Sequence, residues 1–427
     1  MPPYTHFSAL ALLLCAACQA GPKRPGGKIV IEYIAPLADS VKVETPASLI
    51  QTAALTPPRA TAPAGGTCPH PFCNASRNSR LPAAAGLTPR VLRWQAPLAG
   101  RWTPQFVTQD GDRVLVQGEG FWQLFDLAAK SVASGRYSAG NLFMDAPHGL
   151  FYGIGLDGYV CAWKLQDGAR SFVFPSAYGD SYDKTFLARA GDRFIIVEAK
   201  AEPPGGSSGS GADSAVEAQV LAEPVRVDPQ TARLLSARDL GQLRIPSRTI
   251  AAALYGSTVA FANPGRICYA TTDLKLRGCL EGGFVPRALS VDEGGRVYML
   301  HGDTLWAVAP DGRRFIDFRL PPGFESSSMP PVVGYNHRVY LAAPGGVAAV
   351  DLSGKQVWSA ALPVAGAAVT PDDLVVVASG TTLAAFNPKG ERTVLFTAPA
   401  PLATPPAMAA SGDILVATSQ GLLCLGK

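Results

Sequence analysis

The twelve residues VAAVDLSGKQVW, Val347–Trp358, decide the fold. A run of small and β-branched residues stops at Asp351. Asp351-Leu-Ser-Gly354 then supplies turn chemistry: an acidic side chain that can bond its own backbone, and a Gly free to take positive φ. A second run resumes and ends on Trp358. Two β-prone runs joined by a few turn residues read as a hairpin. The same order recurs more weakly in Leu305–Phe315, Leu383–Glu391 and Val160–Arg170. A further β-branched run precedes each of these hairpins. Eight such first runs begin at Arg113, Leu150, Arg193, Thr258, Arg296, Arg338, Leu374 and Ile414, at spacings of 37, 43, 65, 38, 42, 36 and 40 residues. A period near 40 with several short strands per unit is the signature of propeller blades. The single long spacing contains a Gly/Ser-rich insertion, Ala201–Ser214. The insertion is taken as residues 201–218, between two strands of the third unit, with the next run resuming at Glu223-Pro-Val-Arg-Val-Asp228. Loop closure entropy grows slowly with length, so a blade tolerates it as an exposed loop.

Val347–Trp358 resembles the PQQ-type propeller repeat, in which a small residue, an Asp, a turn ending in Gly-Lys and a Trp follow one another. In that family the Trp docks between neighbouring blades. The resemblance therefore implies this role for Trp358, and for Trp94 in the outer-strand-like segment Val91–Pro97. It covers about residues 91–427 and implies an all-β, eight-bladed β-propeller. The last unit, ending in Gly421–Lys427, lacks an outer strand, and Val91–Pro97 is read as supplying it. A closing strand of this kind removes open sheet edges.

The N-terminus reads differently. Phe7–Ala17 is an apolar run too short to span a bilayer, which takes about 20 residues, and it suits a signal peptide over 1–17. Cys15-Ala-Ala-Cys18 resembles a bacterial lipoprotein box, which implies lipid attachment at Cys18. Residues 18–90 read as an extended Pro/Ala-rich tether, interrupted by the β-prone Lys28-Ile-Val-Ile-Glu-Tyr-Ile34. Thr45–Gln109 holds no acidic residue, and Arg59, Arg77, Arg80, Arg90, Arg93 and Arg101 are expected to be scattered and solvated.

Composition narrows the function. Of 427 residues 47% are hydrophobic and 16% charged, with 44 Gly and 37 Pro. That is too apolar for wholesale disorder and too rich in turn formers for long helices. The net charge of +4 does not indicate a nucleic-acid binder. Export permits disulfides. Cys268 and Cys279 flank a turn and would lie opposite each other in a symmetric hairpin. Cys68 and Cys73 could close a small loop, a reading preferred to a metal site with His70. Cys161 and Cys424, on equivalent second strands, are expected to be buried thiols. His148, His301 and His337 fall near first strands or their loops and are read as surface or strand-end residues, the alternative being that two meet in the channel. Asp126, Asp228, Asp311 and Asp351 recur at turns, on separate blade rims.

Quinoproteins resemble this repeat but place an adjacent Cys-Cys pair against the quinone, and no such dipeptide exists here. No catalytic residue, cofactor or metal is therefore expected. The expectation is a non-catalytic binding or scaffold lipoprotein, resembling the propeller lipoprotein of the outer-membrane barrel-assembly machinery. It would be exported, anchored in the outer membrane on the periplasmic side, monomeric, and would present a propeller face to an envelope protein. The alternatives are a PQQ-dependent or other channel-sited enzyme and a surface propeller binding sugar or matrix.

Overall fold

The computed structural model describes residues 79–427 except 139–141, 157–159, 175–181, 191–192, 201–216, 224–240, 247–250, 256–257, 264–265, 272–275, 282–284, 311, 326 and 328. All described residues belong to one compact unit, Thr45–Lys427. The signal peptide, Cys18, Cys68, Cys73, Arg59, Arg77, Asp228, Asp311 and the Gly/Ser insertion lie outside the described residues.

The fold is an all-β propeller. Among the described residues the strands form eight four-stranded antiparallel sheets. The closing sheet opens with β1 (Val91–Pro97). β2 (Phe106–Asp110), β3 (Arg113–Gly118), β4 (Phe121–Asp126) and β5 (Ser131–Arg136) form the first sheet in chain order. β6 (Phe143–Asp145), β7 (Leu150–Ile154), β8 (Val160–Lys164) and β9 (Arg170–Phe174) form the second. β10 (Tyr182–Ala190), β11 (Arg193–Lys200), β12 (Glu217–Glu223) and β13 (Gly241–Pro246) form the third. β14 (Ala251–Tyr255), β15 (Thr258–Asn263), β16 (Arg266–Thr271) and β17 (Leu276–Glu281) form the fourth. β18 (Pro286–Val291), β19 (Val297–His301), β20 (Thr304–Val308) and β21 (Arg314–Arg319) form the fifth. β22 (Val332–Val333), β23 (Val339–Ala343), β24 (Gly346–Val350) and β25 (Gln356–Ala360) form the sixth. β26 (Gly366–Val369), β27 (Val375–Ser379), β28 (Thr382–Phe386) and β29 (Arg392–Thr397) form the seventh. β30 (Ala407–Met408), β31 (Ile414–Thr418) and β32 (Gly421–Gly426) complete the closing sheet, in the order β1-β32-β31-β30. β1 runs antiparallel to β32, from Val91 opposite Gly426 to Pro97 opposite Gly421. β2 lies against β30 and β31, so the first and closing sheets touch.

Burial explains the sequence pattern. β23, β24, β27, β31 and β32 are buried along their whole length. Sheets packed on both sides leave no polar face, so these strands read as continuous apolar runs. The outer strands β25 and β29 carry exposed residues between buried ones. Third and fourth strands are offset by a bulge at matching places in several sheets, including Leu124/Phe125, Ala162/Trp163, Ala307/Val308 and Ala349/Val350. Such bulges increase local twist.

Four expectations change. The runs taken as first strands are second strands, because another strand precedes each, shorter in most sheets. Near the axis strands crowd together, so β22 and β30 have two residues each and β26 is Gly-Ala-Ala-Val. Too few large residues remain there to mark a strand. Cys161 and Cys424 accordingly lie on third strands, β8 and β32, and both are buried. In the third sheet the strand after the insertion is β12, Glu217–Glu223, not Glu223–Asp228. Residues 217 and 218 thus belong to β12, and residues 224–228 lie outside the described residues. Residues 79–90, expected in the tether, are packed on the propeller: Leu81, Ala85 and Arg90 are buried.

Candidate interaction face

In an antiparallel four-stranded sheet the turns joining strands one and two and strands three and four share one end. This face of the propeller is built from one repeated turn. Asp351 Oδ1 accepts the N–H groups of Ser353 (2.9 Å) and Lys355 (3.0 Å), and Gly354 takes a φ of 77°. Asp126 Oδ1 does the same for Ala128 (3.0 Å) and Lys130 (2.9 Å), and Asn387 Oδ1 for Lys389 (2.9 Å) and Glu391 (3.0 Å). The recurring Asp126 and Asp351 are thus held in turn geometry.

The same turn between β18 and β19 does more. Asp292 Oδ1 accepts the N–H groups of Gly294 (2.9 Å) and Arg296 (3.0 Å). Its Oδ2 accepts from Arg296 Nε (2.6 Å) and the Tyr298 hydroxyl (2.8 Å). Asp292 is fully buried. Burial alone pushes its carboxyl up, but His337, Arg296 and Tyr298 outweigh it and hold the group below the usual carboxylate range. Burial, together with Asp292, pushes the Tyr298 hydroxyl well above its ordinary value, so it stays a donor. Arg296 Nη2 lies 2.9 Å from His337 Nδ1. His337 Nδ1 also lies 3.7 Å from Asp292 Oδ2, and its Nε2 lies 3.3 Å from Glu293 Oε1. His337 is 1% exposed and sits in the turn between β22 and β23 at a φ of 63°.

Glu293, next to the buried Asp292, receives Arg80. Arg80 Nη1 donates to Glu293 Oε2 (2.6 Å), Nε to the Val333 carbonyl (2.8 Å) and Nη2 to the Gly334 carbonyl (2.7 Å). Its guanidinium lies over the Tyr335 ring, 5.0 Å from the centroid, and the Tyr335 hydroxyl donates to the Leu81 carbonyl (2.7 Å). Arg80 also forms a parallel bridge with Val369 at the end of β26. From there the chain crosses the seventh sheet outward. The Gly86 N–H reaches Asp372 Oδ2 (3.2 Å), the Arg90 N–H reaches the Leu395 carbonyl on β29 (2.6 Å), and Arg90 Nη1 reaches the Gly412 carbonyl of the closing sheet (3.3 Å). Arg90 Nη2 donates to the Ala85 carbonyl. Residues 79–90 are therefore a strap from the innermost strands of the fifth to seventh sheets to the rim, where β1 begins. Arg80 and Arg90 are pinned rather than solvated, which corrects the expectation for both.

The other singled-out residues are placed as follows. Cys268 and Cys279 are paired in the β16–β17 register and joined by a disulfide. Trp358 on β25 stacks on Phe386 of the next sheet, with ring centroids 5.4 Å apart. It also fills the space above Gly390, where an added Cβ would lie 2.7 Å from Trp358 Cγ. Trp94, half-buried on β1, packs against the core of the closing sheet. Trp122 makes a further contact of this kind, edge-on to Phe151 of the following sheet at 4.9 Å. The three His have separate surroundings: His148 Nδ1 meets Asp145 (2.8 Å), His301 accepts from the Val285 N–H (3.0 Å) and lies against Trp306 (centroids 4.8 Å apart), and His337 joins the Asp292 network. Among the described residues no group of three or more His, Cys, Asp or Glu is placed to hold a metal ion.

Sequence reasoning missed Asp292, Glu293 and Tyr335. One signal was available: a stretch of six Arg without a single acid has to find its counter-charge elsewhere in the chain, and Asp292-Glu293 is an adjacent acidic pair in a turn.

A family model described as outer membrane protein assembly factor BamB matches residues 291–425, from the end of β18 into β32. Among solved structures, BamB from Moraxella catarrhalis is similar with a TM-score of 0.53 at 13% identity, covering 79% of this chain and 99% of that one. A computationally designed protein, Ika8, is similar with a TM-score of 0.54 at 14% identity, covering 78% and 98%. Among curated proteins none matches the chain. The chain is a β-propeller of PQQ-like repeats that resembles BamB.

Proposed function

We propose that the chain is a non-catalytic scaffold of the bacterial cell envelope that presents a propeller face to a partner protein. The observation that carries this reading is the BamB family match over residues 291–425, the part of the chain that contains the Asp292 network and most of the closing sheet. In this reading the eight sheets are the blades of one ring sealed by Val91–Pro97, with Trp358 and Trp94 as inter-blade contacts. The protein is exported, lipidated at Cys18 and held in the outer membrane on its periplasmic side as a monomer. A rigid ring bearing loops on both faces suits the capture of partner segments. Crosslinking in the native envelope followed by mass spectrometry tests the reading. Envelope proteins joined to face-loop peptides are expected, and recovery of none would overturn it. Cys18→Ser should move the protein from the membrane to the soluble fraction, since stable anchoring depends on the acyl chains.

A further inference from the structure

The Arg80 environment is more completely built than one surface ion pair requires. A carboxylate, two main-chain carbonyls and an aromatic face converge on the single guanidinium: Glu293, the carbonyls of Val333 and Gly334, and Tyr335. The Arg80 side chain is 9% exposed. Three separated acceptors match the planar donor fork of a guanidinium and cannot all be met by an ammonium, which acts as a point charge. The ring face adds cation–π attraction. The acceptors come from the fifth and sixth sheets, whereas Arg80 belongs to the segment that leads into β1.

That connection gives the socket a consequence. Among the described residues β1 is paired on one side only, by β32, and forms the edge of the closing sheet. An edge strand frays from its free end. The strap precedes that end, so its attachment at Arg80, together with that at Arg90, sets how readily strap and strand lift together. Cys424 lies opposite Trp94 in the β1–β32 register and is 3% exposed. Lifting of β1, which lies directly beside it, would open Cys424 to a thiol reagent.

We infer that Glu293, the Val333 and Gly334 carbonyls and the Tyr335 ring form a guanidinium-binding socket, filled in cis by Arg80, whose occupancy locks the ring-closing strand. The ligand class is an arginine side chain, and the native occupant is the chain's own. The test is the labelling rate of Cys424 in the purified full chain, read by peptide mass spectrometry, with buried Cys161 on β8 as the internal control. Arg80→Ala should raise the Cys424 rate about tenfold, the effect of losing charge-assisted bonds of this number in a local opening equilibrium, and leave the Cys161 rate unchanged. Millimolar argininamide should slow labelling of the R80A protein toward the native rate. Lysinamide should not, and Glu293→Gln added to R80A should abolish the rescue. Arg80→Lys, which keeps the charge and the stem, should give an intermediate rate and supplies the reading if the Ala variant fails to fold. Native-like labelling of Cys424 in R80A, an equal rise at Cys161, or equal action of argininamide and lysinamide would overturn the inference.

Discussion

At the scale of single residues, Asp292 shows what a buried carboxylate does when every lone pair is used. Two backbone N–H groups, one guanidinium and one phenol converge on it. The net effect holds its acid form off to pH values below the ordinary Asp pKa of about 3.9. In the unfolded chain the group binds its proton at higher pH than in the folded one. The carboxylate therefore stabilises the fold fully above about pH 4, and this stabilisation is lost as the pH falls through the lower folded value. Asp292→Asn leaves Arg296 buried without its counter-charge and should cost about 3 kcal/mol at pH 7. Urea unfolding from pH 7 to pH 3 checks this: the deficit should be largest near neutrality and shrink below about pH 4. A deficit independent of pH would mean the carboxylate's charge is not what matters. Gly390 makes a different single-residue case. Its φ is 86°, and an added Cβ would sit 2.7 Å from Trp358 Cγ. Gly390→Ala should destabilise by about 2 kcal/mol through both backbone strain and the displaced indole, seen as a lower urea midpoint with an unchanged slope.

Among elements, the strands differ in how far the sequence announces them. Second and third strands are legible because both their faces are covered, so Val339–Ala343 and residues 375–378 are unbroken apolar runs. Several innermost strands are not: β22 and β30 have two residues each and β6 three, so they match loops as well as strands and leave almost no pattern. The turn acids were legible in Asp126 and Asp351, since Asp followed by Gly or Ala at that spacing has one common local use. Arg80 and Arg90 were not. An Arg in a Pro/Ala-rich segment looks solvated until the acceptors, more than 200 residues further on, are placed beside it. The Cys268–Cys279 pair was legible because hairpin symmetry alone brings the two residues opposite. That disulfide ties β17 to β16 across a sequence separation of 11. Replacing both cysteines with Ser should cost about 2–3 kcal/mol. The loss should be local at first: hydrogen exchange should quicken in β17, while β27, in a different sheet, stays protected.

At the scale of the whole molecule, the termini of the propeller meet in one sheet. β1 supplies the outer strand that β30–β32 lack, and Arg90 fastens its start to the seventh and closing sheets at once. A propeller stays closed because each sheet is packed by two neighbours; without β1 the closing sheet keeps three strands and exposes the outer edge of β32. That edge is Gly421–Gly426, buried throughout in the intact protein and composed of Leu, Cys and Gly. Unpaired apolar edges of this kind are templates for aggregation. Deleting residues 88–98 should therefore lower the Tm by on the order of 10 °C and produce aggregation at the unfolding midpoint, both followed by calorimetry and light scattering. Deleting residues 19–60 spares the strap and β1 together and should leave the Tm close to native. Equal Tm values for the two deletions would mean that β1 is dispensable for closure and that packing between the first and closing sheets is enough to hold the ring.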